Sequence, residues 1–165
     1  MAETEDTGEG NFVAETVVDM TQVVLPQDTN PFGNVFGGQV VGWIDICAAV
    51  AAQRHCRRPV VTASIDEVHF VSPIKLGHVV LLKGQINAAF RTSMECGVEV
   101  ISEHPLSGRR ELAVSALLTF VALDDEGNPT PVPTLVPRSP EERLRQQQAT
   151  QRRALRLQHR QKPFE

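Results

Sequence analysis

The chain has 165 residues, of which 41% are hydrophobic and 22% charged, values typical of one globular domain with a real core. Its formal net charge of -4 argues against a protein built to coat nucleic acid. No apolar run approaches the roughly 18 residues of a membrane-spanning helix. The acidic first residues, MAETEDTGEG, lack a basic and then apolar leader, which predicts no secretory signal.

The three cysteines and the charge distribution add two expectations. Cys47, Cys56 and Cys96 have neither the spacing of a zinc site nor that of a disulfide framework, which favours a reducing cytoplasm. Residues 139–165 carry seven Lys or Arg and three Asp or Glu, a net +4, whereas residues 1–138 carry nine and seventeen, a net -8. A basic tail on an acidic body indicates that the tail meets something anionic.

The first third of the chain predicts one strand and one long helix. Residues 1–11 are polar and acidic and are predicted to be a disordered lead-in. The β-branched stretch FVAETVVDMTQVVL predicts a strand, and PQDTNPFGN a loop. From about Gly38 to His55 the sequence lacks proline and is rich in alanine, so it predicts a helix that is buried over most of its surface.

Four more strand candidates follow, and then a last helix. They are VVTASIDEVHF, HVVLLKGQINAAF, SMECGVEVISE and ELAVSALLTFVAL; the last two alternate between apolar and polar residues, as half-buried strands do. A proline-rich strap, PTPVPTLVP, comes next. Residues 139–165 are predicted to form a basic helix and tail, with Ser139 as N-cap, Pro140 at the first position and Glu142 completing a capping box.

This order predicts an α+β fold in which one long buried helix packs against a curved antiparallel sheet. The domain is predicted to span residues 12–138, with the C-terminal helix added to it. A single sheet leaves its edge strands open. Dimerisation that continues the sheet would cover one of those edges.

Asp45 is the most unusual residue of the predicted helix. Its neighbours three and four positions away are Val41, Gly42, Ala48 and Ala49, all apolar or small. A carboxylate in such surroundings is either partly desolvated or faces a cleft, and either setting suits a general base. A structural carboxylate that caps a loop or pairs with a core histidine or arginine fits these neighbours about equally well.

Gly37 and Gly38 stand where the helix is predicted to begin. A helix N-terminus presents unpaired N–H groups and partial positive charge, and glycines allow a ligand oxygen to approach the backbone closely. The pair could therefore form an oxyanion hole for a carbonyl group. A Gly-Gly pair alone is also common in ordinary turns.

Three motifs together carry a resemblance to a known family. NPFGNVFGGQVVGWID, followed by VVTASIDEVHFVSPIKLG and RTSMECGVEVISE, resembles the hotdog-fold acyl-CoA thioesterases, specifically the cytosolic or brain-type acyl-CoA hydrolases and their small bacterial relatives. The resemblance extends over roughly residues 15–160 and includes LVPRSPEE and the basic tail. It implies a hotdog fold, hydrolysis of acyl-CoA and an active homodimer, with a trimer of dimers as the expected assembly.

The resemblance also implies a role for particular residues. Asn34, in the G-N-x-x-G-G motif, and Asp45, in the W-x-D motif, match the catalytic pair that the family draws from two different subunits. Asp45 would activate water, Asn34 would hold water or substrate, and an N–H of the Gly37-Gly38 turn would polarise the thioester carbonyl. Residues matching stretches that line the coenzyme A channel are Ala63, Ser64, Ile65, Thr92, Ser93 and Met94.

Three arginines of the tail are further binding candidates. Arg152, Arg153 and Arg156 lie close together on the predicted last helix, and arginine suits the phosphate groups of coenzyme A. We expect at least one of them to contact these phosphates, although arginine-rich helices are most often simply solvated. Asp66 either pairs within the protein or touches the substrate.

Other functions agree less well with the sequence. A hotdog dehydratase relies on a histidine of the helix, and this helix offers only His55, at its far end. A non-catalytic acyl-CoA sensor would be expected to carry a fused DNA-binding segment, and a scaffold would leave the pairing of Asn34 with Asp45 unexplained. No metal or redox cofactor, no nucleic acid and no membrane are expected. Coenzyme A is part of the substrate and product.

Overall fold

A computed structural model describes residues 10–159 of the chain, without the side chain of His159. Its five main strands form one antiparallel sheet. They are β2 (Val18–Val23), β3 (Val60–Phe70), β4 (Val79–Ala89), β5 (Ser93–Glu103) and β6 (Arg110–Ala122), in the order β2-β4-β5-β6-β3. Strands β4, β5 and β6 follow each other through short turns, so they pair with their neighbours in sequence. The predicted α+β fold with a curved antiparallel sheet is confirmed.

The central helix α2 (Gly37–Cys56) lies on one face of this sheet. Its buried residues pack against the core-facing side chains of the central strands, which alternate along β5 as the sequence predicts: Met94, Cys96, Val98 and Val100. The helix ends at Arg57, which adopts a left-handed conformation with φ 52° and donates its backbone N–H to the carbonyl of Gln53. The predicted helix, from about Gly38 to His55, is confirmed to within one residue at each end.

The first predicted strand is only partly confirmed. In place of one strand there is a short strand β1 (Asn11–Phe12), a single helical turn α1 (Val13–Thr16) and then β2. The turn forms because the hydroxyl of Thr16, which is fully buried, donates to the carbonyl of Val13 at 2.7 Å and accepts the N–H of Ile86 at 3.1 Å. Such tertiary contacts override local β propensity. Asn11, which the sequence assigned to the lead-in, already lies in β1.

The proline-rich strap and the last helix complete the fold. Within the strap, β7 (Leu135–Val136) pairs in parallel with β1. Helix α3 (Pro140–His159) begins with the predicted capping box, because the Ser139 hydroxyl accepts the N–H of Glu142 at 3.1 Å and the Glu142 carboxylate accepts the N–H of Ser139 at 3.4 Å. The rest of the predicted tail, and residues 1–9 of the predicted lead-in, lie outside the described residues.

The two faces of the sheet are covered by different helices. Glu95 alternates with the core-facing residues Met94 and Cys96 and therefore points away from α2. On that outer face it binds Arg152 of α3. Strand β3 pairs only with β6 among the described strands, so its other edge is open. None of the described helices is long and apolar enough to cross a membrane.

Candidate active site

The side chain of Asp45 meets the edge strand of the sheet. Asp45 lies about two turns into α2 and is half-buried. One of its carboxylate oxygens accepts a hydrogen bond of 2.8 Å from the hydroxyl of Thr62, near the start of β3. No core histidine or arginine of the described chain pairs with Asp45, so the second of its carboxylate oxygens is available to another donor. The carboxylate is thus oriented by one hydroxyl and open on one side.

The start of α2 is open to solvent. Gly37 and Gly38 are both exposed, and the first N–H groups of a helix have no partner within it. A Cβ on Gly37 would lie 3.4 Å from the ring of Phe70, whereas a Cβ on Gly38 would meet no atom within 4 Å. A ligand oxygen could therefore reach these backbone N–H groups.

Asn34 lies on a loop that is held by its own backbone. The N–H of Asn34 donates to the side-chain oxygen of Asn30 at 3.2 Å, and Asn34 forms an isolated bridge with Lys75. Next to it, Gly33 takes a φ of 77°, a left-handed conformation that favours glycine. The loop is therefore fixed, and the side-chain amide of Asn34 makes no hydrogen bond with the described residues.

Asn34 and Gly37 open into the same cavity, of about 270 Å³. Its other lining residues are mainly apolar: Val35, Val40, Phe70, Val71, Ser72, Pro73 and Ile74. Neither Asp45 nor Thr62 lines this cavity. Within one chain, then, the structure brings Asn34 together with the helix start and Asp45 together with Thr62, but it does not bring these two pairs into one cavity.

The predicted coenzyme A residues on β3 lie along its open edge. Ala63 and Ile65 are exposed, and the hydroxyl of Ser64 donates to the carboxylate of Asp66 at 2.7 Å. Ile65 is 44% exposed, which is unusual for an isoleucine inside a strand. The exposure fits a surface that a ligand or a second subunit covers.

The second predicted stretch needs a correction at Met94. Thr92 and Ser93 are half-buried where β5 begins, and they remain candidates for binding. Met94 is completely buried in the hydrophobic core, because it alternates with Ser93 and faces α2. Its side chain therefore packs in the core and does not line a channel at the surface.

The three arginines of α3 have different partners. The guanidinium of Arg152 binds both carboxylate oxygens of Glu95, at 2.7 and 3.1 Å, and Glu95 raises the pKa of Arg152 above its usual value. Arg156 binds Asp66 at 3.0 Å. The guanidinium of Arg153 lies 4.6 Å from the ring centroid of Phe90. Only Arg153 of the three forms no ion pair among the described residues, so it is the one whose charge is not already matched.

A larger cavity, of about 520 Å³, lies between α3 and the outer face of the sheet. Its lining mixes charges of both signs, including Lys83, Arg145, Glu67 and Glu99. It contains none of the predicted catalytic residues. The size of a cavity does not by itself identify an active site, which also needs a positioned base and an oxyanion hole. We therefore place the candidate site at Asp45 and Asn34.

Other reactive side chains do not fit the chemistry of a nucleophile or a metal site. Cys47, two residues after Asp45, is completely buried, and burial raises its pKa to about 11, so it stays a thiol and serves as a packing residue of the core. His55 is also buried, and one of its ring nitrogens bonds the carbonyl of Pro133 at 2.8 Å. Among the described residues, no group of three or more His, Cys, Asp or Glu is arranged to hold a metal ion.

The sequence did not single out Thr62 or Glu95. Thr62 lies in the matched stretch VVTASIDEVHF, but its role depends on the contact between β3 and α2, which no local pattern encodes. Glu95 reads as a polar residue on the solvent face of an alternating strand, and only the placement of α3 over that face buries it.

The fold and the site define a hotdog-type domain of the α+β class, with a carboxylate on the central helix. The model of the thioesterase superfamily matches residues 32–108. An acyl-CoA thioester hydrolase of Bacillus subtilis, YkhA, is 45% identical over 89% of this chain and 86% of its own length. The chain belongs to the thioesterase superfamily.

Solved structures of similar proteins agree with this. An apo-hexameric acyl-CoA thioesterase has a TM-score of 0.88 and 40% identity, covering 92% of this chain and 97% of that one. The acyl-CoA hydrolase of Staphylococcus aureus, solved with butyryl coenzyme A and coenzyme A, has a TM-score of 0.86 and 36% identity, covering 92% and 93%. The chain spans only 25% of the mouse acyl-coenzyme A thioesterase 11, to which it is 40% identical over 91% of its own length.

Proposed function

We propose that this protein hydrolyses acyl-CoA to free coenzyme A and a carboxylic acid. The observation that carries the proposal is the half-buried Asp45 carboxylate, oriented by the Thr62 hydroxyl at 2.8 Å. It lies on the same helix whose open N-terminus carries Gly37 and Gly38. A base and an oxyanion hole are the two elements that water needs to attack a thioester.

In the proposed reaction, Asp45 takes a proton from water while the water oxygen bonds to the thioester carbon. Negative charge develops on the carbonyl oxygen, and the N–H groups at Gly37 and Gly38 stabilise it. Asn34 holds the water or the thioester through its amide. The carbon–sulfur bond then breaks, and the departing thiolate of coenzyme A receives the proton. The mechanism requires no protein nucleophile, in agreement with the burial of Cys47.

Two parts of the site are proposed to come from different subunits. Asn34 and Gly37 line one cavity, and Asp45 lies outside it. A two-fold dimer would place the loop of one subunit opposite the helix of the other. The open edge of β3 provides a surface for such pairing. We propose a dimer as the active unit and a trimer of dimers as the assembly, in line with the hexameric state of the similar thioesterase.

Residues replaced in a similar enzyme support the Asp45 and Thr62 part of this assignment. Structures of the S. aureus hydrolase have been solved with an aspartate, an asparagine or a threonine changed to alanine. In that enzyme the replaced threonine lies 17 positions after the replaced aspartate, as Thr62 lies after Asp45. Its replaced asparagine lies 15 positions before the aspartate, which is the position of Asn30 in this chain and not that of Asn34.

For coenzyme A we propose contacts with the exposed stretch of β3, the start of β5 and one arginine. The candidates are Ala63, Ser64, Ile65, Thr92, Ser93 and Arg153. Of the three arginines predicted to bind phosphate, we retain only Arg153, because Arg152 and Arg156 are already bound to carboxylates. The buried, free cysteines fit a protein of the cytoplasm.

The hotdog dehydratase alternative requires an accessible histidine on the central helix. His55, the histidine of α2, is completely buried and bonded to Pro133, so it cannot reach a substrate. A non-catalytic sensor would bind acyl-CoA without hydrolysing it, whereas an enzyme releases the thiol.

We would measure thiol release from a series of acyl-CoA thioesters, from acetyl-CoA to stearoyl-CoA, with the Asp45→Asn variant as control. Release by the wild type and loss in the variant would support the hydrolase, whereas binding without release from any thioester would support the sensor.

A further inference from the structure

Strand β3 contains two irregularities on either side of the predicted binding segment. Thr62 pairs with Phe120 and Ser64 with Thr119, so Ala63 is an extra residue; Ile65 pairs with Leu118 and Glu67 with Leu117, so Asp66 is another. Each extra residue is a β-bulge, which locally re-aims the side chains of a strand.

The first bulge sends the hydroxyls of Thr62 and Ser64 to opposite faces. In a regular strand these two residues would point the same way. Here Thr62 pairs with the buried, core-facing Phe120 and reaches Asp45 on α2, while Ser64 pairs with Thr119 and reaches Asp66. The bulge therefore decides whether Thr62 faces the carboxylate of Asp45.

The Asp66 carboxylate is the point at which the bulged segment is held. It accepts hydrogen bonds from Ser64 and Thr119, each at 2.7 Å, and from Arg156 of α3 at 3.0 Å. Its side chain is 15% exposed and that of Arg156 24%, although the backbone of β3 lies at an open edge. Donors from β3, β6 and α3 thus meet on one carboxylate, four residues from Thr62.

We propose that Asp66 is a positioning residue: together with Arg156 it fixes the bulged part of β3, so that Thr62 points at Asp45. This inference rests on the proposed function, in which Asp45 is the base. It gives the C-terminal helix a role in the reaction, because Arg156 connects α3 to the strand that orients Asp45. Charge-assisted hydrogen bonds to a shielded carboxylate are strong enough to hold such a geometry.

A double-mutant cycle separates positioning from general stability. Asp66→Asn keeps the shape of the side chain and removes the charge that binds Arg156. In the wild-type background we expect kcat to fall about tenfold, the scale of a small misplacement. In a Thr62→Val background the same change should cost almost nothing, since there is no hydroxyl left to position. An equal loss of kcat in both backgrounds would overturn the inference.

Two more variants and a second readout complete the test. Arg156→Gln should reproduce the effect of Asp66→Asn, and Arg156→Lys should restore part of the activity. Glu67→Gln removes the neighbouring exposed acid and should leave kcat unchanged. Amide hydrogen exchange of residues 60–70 should rise in Asp66→Asn and not in Glu67→Gln.

The exchange measurement does not depend on turnover. Faster exchange with no thiol release by the wild type would therefore contradict the proposed hydrolase while leaving Asp66 as the anchor of β3. Unchanged exchange in Asp66→Asn would overturn the inference even if the wild type is a thioesterase.

Discussion

Thr62 donates a hydrogen bond to Asp45 from the edge strand of the sheet to the middle of the central helix, at 2.8 Å. The bond joins two residues that are 17 positions apart and orients one carboxylate oxygen. The second oxygen accepts no hydrogen bond from the described residues. A base that is oriented in this way can act on a water molecule without a serine, a cysteine or a metal.

Asp45→Asn should reduce kcat by about 10²- to 10⁴-fold with little change in KM, the usual scale for a positioned base. Thr62→Val should cost less, about 10- to 100-fold, because it removes one hydrogen bond to a charged group and leaves the base in place. Thiol release measured over a range of acyl-CoA concentrations gives kcat and KM for both variants, and Ser115→Ala, on β6, is the control. Near-normal turnover of Asp45→Asn would show that another group activates the water.

Much of the fold follows from the sequence, because hydrophobic periodicity and the residues that begin or end a helix are local properties. The alternation in β5 and the capping box at Ser139 each predict an element that the structure contains. The turn α1 could not be predicted in this way, since Thr16 is held by the backbone of Ile86, 70 residues away.

The candidate site was predictable only in part. Asp45 is conspicuous because a carboxylate is rare among apolar helix neighbours. Its partner Thr62 depends on a bulge and on the packing of β3 against α2, neither of which has a sequence signal. Arg156 illustrates the same limit: its charge suggested a phosphate, but the fold places it on Asp66.

Arg153→Gln should raise the KM for acyl-CoA several-fold and change kcat less, because a phosphate contact is shared by the ground and transition states. It should also weaken the dependence of KM on salt. Arg143→Gln, at an exposed position of the same helix, is the matched control for loss of charge. If KM at low salt is the same in both variants and the wild type, Arg153 is a solvated residue.

Arg152→Gln should destabilise the fold strongly, because it leaves Glu95, whose side chain is 0% exposed, as an unpaired buried charge. We expect a loss of about 3 kcal/mol or more in the free energy of unfolding. The double variant Glu95→Gln with Arg152→Gln should recover part of that loss, since no buried charge remains. Arg109→Gln, from a pair with side chains 76% and 42% exposed, should stay within about 0.5 kcal/mol. Urea titration of the wild type, Arg152→Gln, the double variant and Arg109→Gln measures these free energies. A double variant no more stable than Arg152→Gln would contradict the role of Arg152 in neutralising Glu95.

His55 should make stability depend on pH on the acid side. Burial lowers its pKa below the ordinary 6.5, and its second ring nitrogen is buried with no hydrogen-bond partner among the described residues. The unfolded chain therefore takes up the proton first. The stability that His55 contributes is complete above pH 6.5 and is lost as the pH falls from there toward the lower folded pKa, by up to about 1.4 kcal/mol per pH unit.

The test compares how steeply the free energy of unfolding changes with pH in the wild type and two variants. His55→Gln should flatten the slope below pH 6.5 without removing it, because the pKa of His78 is also lowered by burial. Ser115→Ala, on β6, removes no titratable group and should leave the slope as it is in the wild type. Equal slopes in all three proteins would remove His55 from the explanation.

The division of the site between two subunits can be tested by mixing. Asn34→Ala and Asp45→Ala should each be nearly inactive as pure proteins. If each site takes Asn34 from one chain and Asp45 from its partner, unfolding, equal mixing and refolding should restore about a quarter of the wild-type activity, because random association leaves about one site in four without a lesion. If both residues act within one chain, every site keeps a lesion and mixing restores nothing.

Mass measurement of the refolded mixture must show that chains have exchanged, and each variant refolded alone is the control. Recovery near a quarter would establish the shared site, and it would explain why Asn34 lines a cavity that Asp45 does not reach in one chain. Exchanged but inactive mixtures would exclude the shared site and leave hydrolysis of acyl-CoA to be judged by thiol release alone. The exposure of the open edge of β3 would then need another explanation, because pairing of subunits across it would no longer be required for turnover.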